Sequence, residues 1–137
     1  MQARAIALLR GENARMTHAR KAIVDLVFSV NSPISAISVL KGLAKKDIGV
    51  NKTTVYRELS YLVKSNILKE VFIKPNSIHY ESALLPHHHH LICNNCGSVE
   101  EVDCVINERK LLQKIKSKGF DLKTHKFELY GTCASCS

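Results

Sequence analysis

Apolar residues recur along the first half of the chain at helical spacing. Ile23, Leu26, Val27 and Val30 fall at i, i+3, i+4 and i+7, and Thr17 stands ahead of them as an N-cap. Asn31-Ser32-Pro33 interrupts that helix. Ser35 caps the next, whose inward stripe is Ala36, Val39, Leu40 and Leu43. A polar loop with Gly49 covers 45–50, and Asn51 caps a third helix over 52–64. Past Asn66 the period shortens to two. Residues 68–73 and 78–81 read as strands flanking Pro75-Asn76-Ser77, a turn signal. Three helices followed by a hairpin predict a winged helix, whose second and third helices form a helix-turn-helix.

The second half reads β-β-α-β. Strands are expected over 87–93 and 98–103. A helix is expected over 105–118, with Leu111, Leu112 and Ile115 inward and Gly119 as its stop. A last strand over 120–131 places His125, Phe127 and Leu129 on one face. The fold class is therefore α+β. A winged-helix domain spans 1–82, a hinge 83–86 and a second domain 87–137. No apolar run reaches the ~18–20 residues of a transmembrane helix, and the N-terminus lacks the pattern of a secretory signal. A soluble, cytoplasmic protein with no membrane partner is expected.

Charge sharpens this division. The chain carries a net +8. Residues 1–82 hold 13 Lys/Arg against 6 Asp/Glu, while 83–137 hold 7 against 6. The basic excess of the first half suggests a polyanion partner. On the 52–64 helix, Val55, Leu59 and Leu62 share one face. Thr53, Arg57 and Ser60 point the other way, with Tyr56 at the border. That outward face suits DNA: Arg pairs with guanine or phosphate, a Tyr ring packs on a thymine methyl, and hydroxyls bond phosphate oxygens. Arg15, Arg20, Lys21, Lys52 and Lys64 are candidates for contacts to the DNA backbone.

All five cysteines, and five of the seven histidines, lie in the second half. Cys93-x-x-Cys96 and Cys133-x-x-Cys136 supply four thiolates, the set a structural zinc takes. Cys104 has no partner spacing and reads as a buried apolar thiol. In an extended strand the run His87-His88-His89-His90 alternates sides. His87 and His89 then face one way, His88 and His90 the other, which predicts two sites of two imidazoles each. Imidazole with carboxylate suits Zn²⁺, Fe²⁺, Mn²⁺ or Ni²⁺, and Glu81, His79, Glu101, Glu108 and His125 are candidate partners. His79-Tyr80-Glu81 matches the H-x-E of zinc deaminases. However, Cys93 follows Ile92 rather than Pro, and only eleven residues separate it from Glu81. No enzyme is expected.

Arg15-x-Thr17-x-x-Arg20, Thr53-Thr54-Val55-Tyr56-Arg57-x-Leu59, His87-His88-His89-His90-Leu91-Ile92-Cys93-x-x-Cys96-Gly97 and Leu129-Tyr130-Gly131-x-Cys133-x-x-Cys136 together resemble the ferric uptake regulator (Fur) family. The resemblance spans about residues 12–136. It implies a homodimeric, metal-responsive repressor of metal-homeostasis genes, with a winged helix that binds an AT-rich palindromic operator and a C-terminal α/β dimerisation domain. It places Tyr56 and Arg57 on the recognition helix beside Lys52, Thr53 and Thr54, and Arg15 near the minor groove. It assigns structural zinc to Cys93, Cys96, Cys133 and Cys136. A dimerisation-domain metal site falls to His87, His89, Glu108 and His125. A sensory site falls to Glu81, His88 and His90, with His79 and Glu101 as further candidates. The family's sensory site also takes a histidine from the loop after the first winged-helix helix. Here that loop is Asn31-Ser32-Pro33-Ile34-Ser35, without one, which counts against a peroxide sensor. Fe²⁺ is the first expectation for the regulatory metal. A zinc-sensing repressor, and a zinc-stapled redox switch or interaction module, are the rivals.

Overall fold

The computed structural model describes residues 1–11, 14–74, 77–103, 108–123 and 127–137, apart from the side chains of Lys74 and Glu108. The chain divides into two compact units, Met1–Leu85 and Pro86–Ser137.

The first unit begins with helix α1 (Gln2–Gly11), which the sequence reading did not contain. Only Ala5 and Leu9 of α1 are buried, an i, i+4 pair too short to stand out among its basic residues. Helices α2 (His18–Val27), α3 (Ala36–Ala44) and α4 (Lys52–Lys64) begin where their caps predict. Thr17 Oγ1 accepts from the Arg20 amide at 3.1 Å, Ser35 Oγ from Ser38 at 3.1 Å, and Asn51 Oδ1 from Thr54 at 2.7 Å. Each bond satisfies an amide that the first helical turn leaves without a partner. Helix α2 stops at Val27, so Val30 falls past its C-cap and is exposed, contrary to the expected stripe. Helix α4 ends in a left-handed residue, Asn66 (φ 52°), and the Ile67 amide returns to the Leu62 carbonyl at 2.9 Å. Gly42 brings α3 close to α2: a Cβ there would lie 2.7 Å from Cδ2 of Leu26, and the leucine side chain would have to shift.

Strands β1 (Ile34–Ser35), β2 (Leu68–Lys74) and β3 (Ser77–Ser82) form an antiparallel sheet in the order β1-β3-β2. Strand β1 is only two residues long, between the Asn31-Ser32-Pro33 break and α3, and its second residue is the α3 cap, so no alternating pattern marks it. The β2–β3 hairpin is the wing; Pro75 and Asn76 of its expected turn lie outside the described residues. Helices and sheet close over Leu9, Ile23, Val24, Val39, Leu43, Val55, Leu59, Leu62, Ile67 and Leu68, all at most 1% exposed. This is a full hydrophobic core.

One charged pair sits at its edge. Arg20 Nε donates to Glu58 Oε2 at 2.8 Å, with side chains only 11% and 8% exposed. The same guanidinium lies 3.9 Å from the Tyr61 ring centroid, and its Nη1 donates to the Arg15 carbonyl at 2.8 Å. Arg20 therefore ties α2 to α4 and to the segment that enters α2.

In the second unit, β4 (His88–Cys93) is central between antiparallel β5 (Val99–Asp103) and parallel β6 (Glu128–Gly131). Helix α5 runs Glu108–Lys116, and Gly119 (φ 71°) ends the turn after it. Its expected first residues, 105–107, and Cys104 lie outside the described residues. Two expectations are corrected. Leu111 and Leu112 are 37% and 48% exposed rather than inward. The long last strand contracts to β6, with 120–123 irregular and 124–126 outside the described residues. Among the described residues of this unit, Ile92 and Cys93 are the only buried members of the core. A unit of this size with so little apolar burial needs a staple.

The Arg20–Glu58 pair generates a stability prediction. Arg20→Leu strands a buried carboxylate and should cost about 3–5 kcal/mol. Adding Glu58→Leu should recover most of that loss. Urea denaturation of the two variants checks it; equal losses in both would show that the pair is not coupled.

Candidate metal centres and nucleic-acid interface

The four-cysteine site is built from two knuckles. Cys93 ends β4, and the chain turns so that the Gly97 amide donates to the Cys93 carbonyl at 2.9 Å, with Gly97 at φ 75°. The second knuckle repeats the turn after β6: Cys136 N donates to the Cys133 carbonyl at 2.9 Å. The parallel β4–β6 register, with Cys93 opposite Gly131, brings the two together. All four Sγ atoms lie within 4.8 Å of one another, and Cys96 Sγ is 3.7 Å from Cys133 Sγ. A tetrahedron with Zn–S bonds of ~2.3 Å has edges of about 3.8 Å, so the set fits zinc. The amides of Cys96 and Cys133 and other nearby donors lower the Cys93 thiol to about 6. Hydrogen bonding to its sulfur neighbours, Cys133 foremost, pushes Cys136 up to about 12. Four adjacent thiols resist ionising together because their negative charges repel, and a dication removes that conflict. The cysteines thus form a zinc site that ties the end of the chain to the central strand.

The histidine run has the two-faced geometry expected of a strand. His87 and His89 meet edge to face at 4.9 Å between ring centroids, and so do His88 and His90. His88 Nδ1 lies 2.7 Å from the Pro86 carbonyl, and His89 Nδ1 3.2 Å from that of Phe127. A carbonyl only accepts, so in the neutral form each ring carries its proton on Nδ1, which leaves the Nε2 lone pair as the donor to any ligand. On the first face the His89 ring packs on Phe127 at 5.0 Å. The Glu108 side chain and His125, the other expected ligands there, lie outside the described residues. On the second face β5 places Glu101 opposite His90 and Asp103 opposite His88. Glu101 is exposed.

Glu81, in the first unit, is 4% exposed and forms an ion pair across β2–β3, its Oε1 2.9 Å from Lys69 Nζ. His79, two residues earlier on β3, shares its face and pairs with Ser35 of β1. The 31–35 segment, which holds no histidine, ends in β1.

On α4 the wheel holds. Val55, Leu59 and Leu62 are fully buried, while Lys52, Thr53, Tyr56, Arg57 and Ser60 are exposed. Lys52 Nζ stands 5.7 Å from the Tyr56 ring. Thr54 is half-buried behind its capping bond. Arg15, Lys21 and Lys64 are exposed. Arg20 is not presented as expected, because its guanidinium is held by Glu58, Tyr61 and the Arg15 carbonyl. The sequence reading missed Glu58, although its position three residues after Val55 puts it on the inward face.

A winged helix joined to a unit with a four-cysteine site and a two-faced histidine strand defines a metal-binding transcription regulator. Comparison with known proteins assigns the family. The sequence model described as "Ferric uptake regulator family" matches residues 11–130. The ferric uptake regulation protein of Campylobacter jejuni is 30% identical over 132 residues, 95% of this chain and 84% of its own. Among solved structures, a zinc uptake regulator complexed with zinc and DNA is 28% identical, with a TM-score of 0.71 over 98% of this chain and 91% of its own. The fold also matches the Helicobacter pylori Fur structure, described as having three functional metal binding sites, at a TM-score of 0.80 and 22% identity over 98% of this chain and 89% of its own. The chain belongs to the ferric uptake regulator family. It is a metal-responsive, DNA-binding transcriptional regulator and not an enzyme.

Zinc uptake should release protons and tighten as pH rises from 6 to 8, because Cys136 holds its proton in the metal-free thiol set. Calorimetry in buffers of different ionisation enthalpy reads the released protons. Cys133→Ser should lose the zinc and unfold the second unit, on the scale of ~10–16 kcal/mol for structural zinc sites. A Cys133→Ser chain with zinc and secondary structure intact would contradict this.

Proposed function

We propose that the chain is a homodimeric, cytoplasmic repressor of metal-homeostasis genes that binds an AT-rich palindromic operator when loaded with a divalent metal, Fe²⁺ first. The carrying observation is the two-faced histidine strand, which separates a His88–His90 pair from a His87–His89 pair and sets both apart from the thiolates. Glu81, His88 and His90 hold the sensory metal, with His79, on the Glu81 face of β3, and Glu101, opposite His90 on β5, as further candidates. His87 and His89 hold a second metal with Glu108 and His125. This donor chemistry fits Fe²⁺, Mn²⁺ and Zn²⁺ alike.

Glu81 belongs to the first unit and His88 and His90 to the second. Their joint ligation restrains the hinge and fixes the spacing of two recognition helices in the dimer. A metal that binds this state better shifts the population toward it by its differential affinity, and operator binding tightens by the same coupling. Tyr56 and Arg57 read base edges, while Lys52, Thr53, Thr54 and Arg15 contact the DNA backbone. The dimer face is the apolar surface of the second unit, where Leu111, Leu112, Phe120, Phe127, Leu129 and Tyr130 are each more than a third exposed. The similarity to a zinc uptake regulator bound to zinc and DNA favours zinc sensing as the second reading.

Fluorescence anisotropy on an AT-rich palindrome tests this. Tyr56→Ala with Arg57→Ala should cost about 2–6 kcal/mol of operator binding, while Lys52→Ala should lower the salt slope by about 1. Unchanged operator affinity in the double variant would remove the assigned recognition helix. Equal affinity with and without Fe²⁺, Mn²⁺ or Zn²⁺ would remove the sensor role.

A further inference from the structure

Lys69 and Glu81 are direct partners in the β2–β3 register, with Lys69 Nζ 2.9 Å from Glu81 Oε1. The Glu81 side chain is 4% exposed and that of Lys69 37%. Burying a carboxylate is costly unless a cation sits beside it. The flanking register pairs, Leu68 with Ser82 and Glu70 with Tyr80, bring none, and the other titratable group on the Glu81 face of β3 is His79. Lys69 thus brings a positive charge to Glu81 from the neighbouring strand. The proposed function gives the same carboxylate a second cation, the sensory metal.

We propose that Lys69 is the internal counter-cation of the sensory site. Its ammonium balances Glu81 in the metal-free chain and competes with the metal for that carboxylate, so Lys69 sets the metal concentration at which the regulator responds. This rests on the assignment of Glu81 to the sensory site. Two consequences have opposite signs. Removing the charge while keeping the aliphatic stem deprives the metal-free state of its counter-ion and destabilises it. The same change removes a repelling charge from beside the metal and tightens binding. An ion pair that only braces the hairpin would show the first effect without the second.

The experiment uses the full-length chain with zinc retained at its cysteines. Mn²⁺ is the probe, and its binding is read from the electron paramagnetic resonance of the free ion. The variants are Lys69→Met, Lys69→Gln, Lys69→Arg and Glu81→Gln. Glu81→Gln should abolish one class of Mn²⁺ site and so identifies the sensory class. Lys69→Met and Lys69→Gln should each tighten that class by about tenfold or more, the scale of losing one nearby unit charge. Both should also lower the melting temperature of the Mn²⁺-free chain, while Lys69→Arg stays close to the parent in both measurements. If Lys69→Met and Lys69→Gln leave the affinity of that class unchanged or weaker while Glu81→Gln abolishes it, Lys69 does not compete, and the sensory assignment stands without it. If Glu81→Gln leaves every class of Mn²⁺ site intact, the assignment of Glu81 fails, and the role of Lys69 fails with it.

Discussion

The alternation of side chains along β4 governs the chemistry of the second unit. A strand sends successive residues to opposite faces, so four consecutive histidines cannot surround one ion. They divide into two pairs, each with rings 4.9 Å apart. The same strand ends in Cys93, where the chain turns into the first knuckle of the thiolate site. One strand thus delivers donors to three places. Because β4 lies between β5 and β6, its pleat is fixed on both edges. A slip of one residue would exchange the two histidine pairs and turn Cys93 away from its partners. The thiolate site opposes such a slip, since it holds the ends of β4 and β6 in register.

The first unit solves a different problem. It has a continuous apolar core, so no metal is needed to fold it. What it must hold is the orientation of α4 and the segment ahead of α2. Arg20 does this through three contacts: the Glu58 carboxylate, the Tyr61 ring and the Arg15 carbonyl. A partly buried ion pair adds little net stability over an apolar replacement. It does fix geometry, because a guanidinium held on three sides leaves α4 little freedom to rotate. A basic residue thus orients the proposed DNA-facing surface without lying on it.

Much of this was legible in the sequence where the physics is local. The caps Thr17, Ser35 and Asn51 each name a helix start because a side-chain oxygen must meet an amide two or three residues on. The two CxxC pairs name the zinc site because the donor set is chemically specific. The period of two names the faces of the histidine run. What escaped depends on partners distant in sequence. The Arg20–Glu58 pair spans 38 positions, and Lys69 meets Glu81 only through the hairpin register. Helix α1 shows too small an apolar stripe, and β1 is two residues long. The amphipathic spacing of Leu111 and Leu112 predicts an inward face, yet both are more than a third exposed. Spacing states which face is apolar, but not whether the same chain covers it.

In the proposed function the His88–His90 face, and not the His87–His89 face, couples metal to DNA. The most direct measurement is operator affinity by fluorescence anisotropy across a titration of regulatory metal. It compares His88→Ala/His90→Ala with His87→Ala/His89→Ala, with one zinc per chain verified in both. The account predicts that the first double variant loses the metal-dependent gain in affinity and that the second keeps most of it. A His88→Ala/His90→Ala chain that still tightened on its operator with metal as the parent does would contradict it.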